Sequence, residues 1–185
     1  MNKITLILIF MLYSSSSLAH APFGLTWGAD LSLYGTPNVN GQTVTVFTNK
    51  LPESYSKAKS YFLKGSTDRG LNLIRVSSET YALDNVKLKN IYKEVKDDLL
   101  LKGYEFVGLQ AGTFGSYHCI IQSNCHGNIW HAKSKQGNTA MLSIQGANKN
   151  KAYILLEYYS LSFTETKNQF DSQNVTVKNQ LSQPI

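Results

Sequence analysis

One segment of this chain has a helical period, and the segments on either side of it have period two. That arrangement limits the fold to a sheet carrying one main helix. Leu88, Ile91, Val95 and Leu99 recur at three- and four-residue spacing, which lines them along a single helix face. Lys87, Lys89, Lys93, Lys96 and Asp97 fall on the other faces. Asp84 or Asn85 offers an N-cap, and Lys102-Gly103 a stop. The helix is expected over about residues 85–102. Such a helix also suits a membrane surface or a partner's groove, but packing on its own sheet is its commoner use.

Before the helix, Thr43–Thr48 is a β-branched run that reads as a strand. Lys59–Lys64 and Leu71–Ser77 read as a hairpin around the turn-forming residues Gly65–Gly70. Farther upstream, alternation places Phe23, Leu25 and Trp27 on one face of a short strand ended by Gly28. Asp30–Tyr34 makes one helical turn. After the helix, Tyr104–Leu109, Tyr117–Ile121 and Asn128–Ala132 read as extended. Thr139–Gln145 and Lys151–Tyr159 form the clearest hairpin, turned by Gly146–Asn150. Eleven tyrosines, many beside Val, Thr, Ile or Phe, reinforce the strand reading. The expectation is an α+β fold: an antiparallel sheet built from two strand clusters, packed on one main helix and held by one short-loop disulfide. The chain is long enough for a single domain, placed at residues 20–160. Residues 161–185 turn polar and read as a tail, or as an edge strand near Val175 and Val177.

Residues 1–19 read as an export leader. Met1-Asn2-Lys3 gives a positive start, Ile4–Tyr13 is continuously apolar, and Ser17 and Ala19 occupy the −3 and −1 positions of a signal-peptidase site. Cleavage after Ala21 would put Pro22 first, where its fixed φ and missing N–H fit a protease cleft badly. The apolar run is about half of the roughly 20 residues that cross a bilayer, so no membrane span is expected in the mature chain. The expected location is the periplasm or beyond. The net charge is +6, or +5 once Lys3 leaves with the leader. The lysines are scattered and only Arg69 and Arg75 are arginines, which argues against nucleic acid as a partner.

The cysteines are Cys119 and Cys125. In an oxidising compartment a close pair is most often a disulfide. Histidines crowd the same stretch, so His118, His126 and His131 form an alternative set of metal ligands for zinc or copper. Their spacing matches no standard zinc pattern, and a disulfide would remove both thiolates. No nucleophile signature flanks either cysteine, and Ala111–Gly115 lacks the lysine of a phosphate-binding loop.

Several motifs occur together: the Phe23-Gly24-Leu25-Thr26-Trp27-Gly28 opening, Leu51-Pro52 before a tyrosine-containing strand, and the Asp68-Arg69-Gly70-Leu71 turn. With them come the helix end at Lys102-Gly103, the Tyr117-His118-Cys119…Cys125 loop, and a closing hairpin from Ile144-Gln145-Gly146 to Tyr153-Ile154-Leu155. Over about residues 22–160 this set resembles a group of small exported proteobacterial proteins. The chain departs from it at His126, where a glycine usually follows the second cysteine, and in a reduced first helix. The resemblance implies export, an α+β fold and the disulfide. It supplies no catalytic residue.

Three function classes fit these residues. The first is a periplasmic protein-binding module, such as an inhibitor or immunity factor for an envelope-acting enzyme or toxin. Its partner would be another envelope or secreted protein, met through aromatic strands and an exposed sheet face. The second is an envelope enzyme, with Asp30, Glu53, Glu79, Glu105 or Glu157 and the histidines as acid–base candidates. No spacing forces any pair of them together. The third is a histidine-based metal carrier. The first ranks highest, with no catalytic residue assigned and no cofactor expected.

Overall fold

The computed structural model describes residues 20–113, 125–148 and 150–163. The strands are β1 (Asn38–Asn40), β2 (Thr43–Thr48), β3 (Ser60–Ser66), β4 (Gly70–Ser77), β5 (Tyr81–Ala82), β6 (Tyr104–Gln110), β7 (Ile129–Ser134), β8 (Thr139–Asn148) and β9 (Lys151–Tyr159). The helix α1 spans Val86–Leu101, between β5 and β6. All of the pairings are antiparallel, and the sheet order is β1-β2-β3-β4-β9-β8-β7-β6, with β5 also beside β9. Two meanders, β1–β4 and β6–β9, thus fuse along the β4–β9 seam, where Arg75 faces Glu157 and Val76 faces Leu156.

The two strand clusters expected from the sequence are these two meanders. They form one continuous sheet, because β9 is apolar on its inner face and pairs along both flanks, with β8 on one side and with β4 and then β5 on the other. The expected Cys119–Cys125 disulfide falls in part outside the described residues. No disulfide joins two described residues, Cys119 lies outside them, and Cys125 is not a free thiol. Among the described residues the chain at Cys125 is held to β8 through its backbone: Gly146 N–H donates to the Cys125 carbonyl at 2.6 Å, and Gly127 N–H to Ile144 O at 2.7 Å. The expected strand at Tyr117–Ile121 and the edge strand near Val175 and Val177 lie outside the described residues, as do His118 and the leader.

Alternation decides which side chains go inward. Tyr61 and Leu63 of β3, Ile74 and Val76 of β4, Ile154, Leu156 and Tyr158 of β9, and Ala140 and Leu142 of β8 share the inner face and are all buried. Onto them α1 presses Leu88, Val95 and Leu99, each 1–2% exposed and each contributing about 2 kcal/mol by burial. The Asn85 side chain accepts from Lys87 N–H at 2.8 Å, the N-cap bond the sequence calls for. Gly103, at φ 80°, closes the helix in the left-handed region.

The opening segment departs from its expected strand. Pro22–Gly24 is a 3-10 turn in which Phe23 has φ 65°, a conformation that costs a non-glycine residue about 1–2 kcal/mol. The turn swings the Phe23 ring onto Tyr55, Tyr61 and Tyr158, with centroids 5.6–5.7 Å away. Phe23, Leu25 and Trp27 are all buried, as alternation implied, but through a turn rather than a pleat. The helical turn Leu31–Tyr34 follows, with Asp30 as its N-cap.

The opening segment is tied down on β4. Gly28 N–H donates to Leu71 O at 2.8 Å and Leu71 N–H to Ala29 O at 2.9 Å. This close approach requires a glycine at position 70, where φ is 63° and a Cβ would collide with the Gly28 carbonyl. Gly70→Ala is expected to lower stability by about 3 kcal/mol, from the backbone conformation plus the clash. Urea denaturation of the two proteins measures it; a loss under about 1 kcal/mol would show that this contact gives way freely.

Candidate functional site

Side chains of period-two strands that do not point at α1 must point to the other face, and the register decides which of them meet there. One row crosses six strands: Phe47 of β2, Phe62 of β3, Arg75 of β4, Glu157 of β9, Met141 of β8 and His131 of β7 are successive cross-strand partners. The next row runs Thr45, Lys64, Leu73, Tyr159, Thr139, Lys133 and Glu105. The outward face therefore carries an aromatic end, a central ion pair and a polar end.

Within the first row the Phe47 and Phe62 rings lie 4.7 Å apart, tilted by 53°. The Arg75 guanidinium sits 5.4 Å from the Phe62 ring centre, a cation–π distance. Arg75 Nε donates to Glu157 Oε1 at 2.8 Å, and its Nη2 lies 2.7 Å from the same oxygen. The other carboxylate oxygen accepts from Tyr159 Oη at 3.1 Å. Burial, together with the adjacent Glu157 carboxylate, pushes the Tyr159 phenol well above its ordinary pKa. Tyr159 also stacks on Phe163 at 5.2 Å. Phe47 is 76% exposed, and the side chains of Arg75 and Glu157 are 43% and 12% exposed. An aromatic pair bracing an arginine, itself oriented by a largely buried carboxylate, is a preorganised contact surface: the arginine is held before any partner arrives.

The sequence candidates for acid–base work are not gathered into one place. Asp30 caps the 31–34 turn by accepting from Ser32 N–H at 2.9 Å, which lowers its pKa. Glu79 is paired with Lys59 at 2.8 Å. Glu53 is exposed on the segment between β2 and β3, and Glu105 lies opposite Lys133 in the row beside Tyr159. Both oxygens of Glu157 are already engaged, which suits an orienting carboxylate better than a proton carrier. His131 shares the row with Glu157 but has Met141 between them, which puts their Cα atoms about 10 Å apart.

The candidate metal ligands fare likewise. His131 faces Met141, while His126 bridges to Gln145. Four residues along β8 separate those partners by about 13 Å. The Nδ1 of His126 lies 2.9 Å from the Gly127 carbonyl, and its N–H donates to Thr113 Oγ1 at 3.1 Å. Among the described residues no three His, Cys, Asp or Glu side chains come together as a metal site.

On the helix side, Tyr55 donates to Asp98 at 2.8 Å, and Lys57 approaches both Asp98 and Glu94 at 3.4–3.5 Å. Burial, then this carboxylate, raises the Tyr55 pKa far above normal. This network ties the 51–58 segment to α1.

The sequence reading singled out none of Phe47, Phe62 or Arg75 as a site. One signal was available: Arg75 is one of only two arginines and stands at an outward position of a strand whose neighbours Ile74 and Val76 are buried. Comparison of the chain with family models, with curated proteins and with solved structures finds no match. Among the described residues no helix is long and apolar enough to cross a membrane.

Proposed function

We propose that this chain is a periplasmic protein-binding module whose contact surface is the sheet face opposite α1. The single observation behind this reading is the row Phe47–Phe62–Arg75–Glu157. Phenylalanine and arginine are enriched at protein interfaces, where arginine with tyrosine and tryptophan dominates the energetics, and here they stand together on a rigid central sheet. Export, expected from residues 1–19, makes another envelope or secreted protein the partner, and an inhibitor or immunity role toward an envelope-acting enzyme or toxin is the form that fits. The site favours a protein over a small molecule because its groups lie along a pleated face rather than converging in a pocket.

Phe47 provides the test, because its ring is 76% exposed. Phe47→Ala is expected to leave stability within about 0.5 kcal/mol of the parent. It should weaken binding of a partner captured from an envelope extract by about 2 kcal/mol, roughly thirtyfold. Affinity for that partner is measured by calorimetry on the parent, on Phe47→Ala and on a control change at Lys135, which lies in the β7–β8 turn. Capture of no protein at any salt concentration, or equal affinity for all three forms, removes the proposal.

A further inference from the structure

The helix α1 does not roof the whole inner face of the sheet. Phe106 and Leu109 of β6 pair with Ala132 and Trp130 of β7, which are buried in the core on the α1 side, and ladder partners share a face. Yet Phe106 is 57% and Leu109 59% exposed. The Phe106 ring stacks on Trp130 at 6.0 Å, and the Lys96 ammonium lies 5.7 Å from the centre of that indole. Lys96 thereby brings one flank of α1 against this apolar patch. Lys89, Lys93, Lys96 and Leu100 follow one another at spacings of four, three and four, which makes them one stripe of the helix. Leu100 is itself exposed.

The charge of that stripe is uncompensated. Lys57 takes up Glu94 and Asp98 at 3.4–3.5 Å, and among the described residues no ion pair engages Lys89, Lys93 or Lys96. Asp97 is the remaining carboxylate of α1, one negative charge against the three positive ones. We propose that this patch seats the protein on the surface of an anionic phospholipid bilayer without crossing it. Phe106, Leu109 and Leu100 enter the boundary between headgroups and acyl chains, and the three lysines meet the lipid phosphates. Charge complementarity selects this occupant: apolar side chains rimmed by unpaired lysines match an apolar layer beneath an anionic one, and the long lysine stems let the ammonium groups stay at headgroup level while the leucines sink. A second copy docked patch to patch would oppose like charges instead. Seated this way, the protein turns its Phe47–Arg75 row, on the opposite face of the sheet, away from the bilayer. The membrane contact does not depend on the proposed protein partner, and its test contains none.

Cosedimentation with lipid vesicles is measured for the purified protein and for three variants, with near-ultraviolet circular dichroism to confirm folding. The vesicles are phosphatidylglycerol mixed with phosphatidylethanolamine, or phosphatidylcholine alone. The parent is expected to bind the first and not the second, and to be released by salt. Lys89→Gln combined with Lys93→Gln should weaken binding about thirtyfold, and Leu109→Thr about tenfold. Lys50→Gln combined with Lys64→Gln removes the same charge from the β2–β3 end of the sheet and should stay within about threefold of the parent. Lys89 and Lys93 are exposed helix positions where glutamine is as good a helix former, so that variant carries the result even if Leu109→Thr does not fold. A parent that leaves phosphatidylglycerol vesicles unbound at low salt overturns the proposal and returns the patch to a protein partner. So does a folded patch variant that binds as tightly as the parent, or a control weakened as much as the lysine pair.

Discussion

Phe23→Ala is expected to lower the unfolding free energy by about 4 kcal/mol, as truncation of a buried aromatic residue does. The ring is 5% exposed and lies among Tyr55, Tyr61 and Tyr158, with the Lys102 ammonium 5.5 Å from its centre. Those contacts hold a left-handed backbone that alanine would keep without recompense. Glycine adopts φ 65° freely, so Phe23→Gly should be no less stable than Phe23→Ala, the reverse of the usual ranking of the two residues. Urea midpoints at constant m-value read both numbers. A Phe23→Ala loss below about 2 kcal/mol would mean that the cluster repacks, and a glycine variant clearly weaker than the alanine one would mean that the turn is not left-handed in solution.

The second large effect is alkaline. Burial pushes the Tyr104 phenol up to about 12 and holds Tyr158 well above its ordinary value, with nearby Tyr104, Tyr55 and Asp98 adding to the latter. Tyr55 and Tyr159 are raised by burial and by carboxylate neighbours. An acid whose pKa is raised in the folded state contributes stability that is fully present below the unfolded pKa, near 10, and is lost as the pH climbs toward the folded value. Each such phenol steepens the loss by roughly 1.4 kcal/mol per pH unit, so Tyr104 and Tyr158 together give nearly 3. Stability is therefore expected to be insensitive to these groups up to about pH 10 and to fall steeply between about pH 10 and 12. The absorbance of buried phenolate should appear together with the loss of near-ultraviolet dichroism. If the tyrosines all ionise in one smooth step near pH 10 while the fold persists, the buried aromatic cluster is wrong.

These two predictions rest on residues that the sequence made legible to different degrees. Leu88, Val95 and Leu99 repeat within three turns of helix, and Tyr61, Leu63, Ile74 and Val76 alternate within single strands. Both patterns are local, and the structure reproduces α1, β2, the β3–β4 hairpin and the β8–β9 hairpin close to where periodicity put them. Phe23, Leu25 and Trp27 were recognised as inward residues for the wrong reason, because a left-handed turn and a strand can bury the same three side chains. The short β1 and β5 gave no signal: three polar-flanked residues and two residues are too few to show a period.

The candidate site was legible only as a type. Aromatic strands with an outward face were foreseen, but Phe47, Phe62 and Arg75 were not. Their juxtaposition depends on pairings between segments far apart in the chain, and Arg75 meets Glu157 across 82 positions. The histidines illustrate the same limit in reverse. His126 and His131 are close in sequence, yet they pair with different points along β8, because a strand carries residues apart at about 3.3 Å each.

The sequence by itself determined the longer strands and the helix, since period and capping act between near neighbours. It also determined which side of each element turns inward. The tertiary structure alone decided that the two strand groups join at β4 and β9 and that an arginine and a glutamate meet on the outward face. Register between distant strands comes from matching whole apolar faces at once, and no local window of residues contains that match.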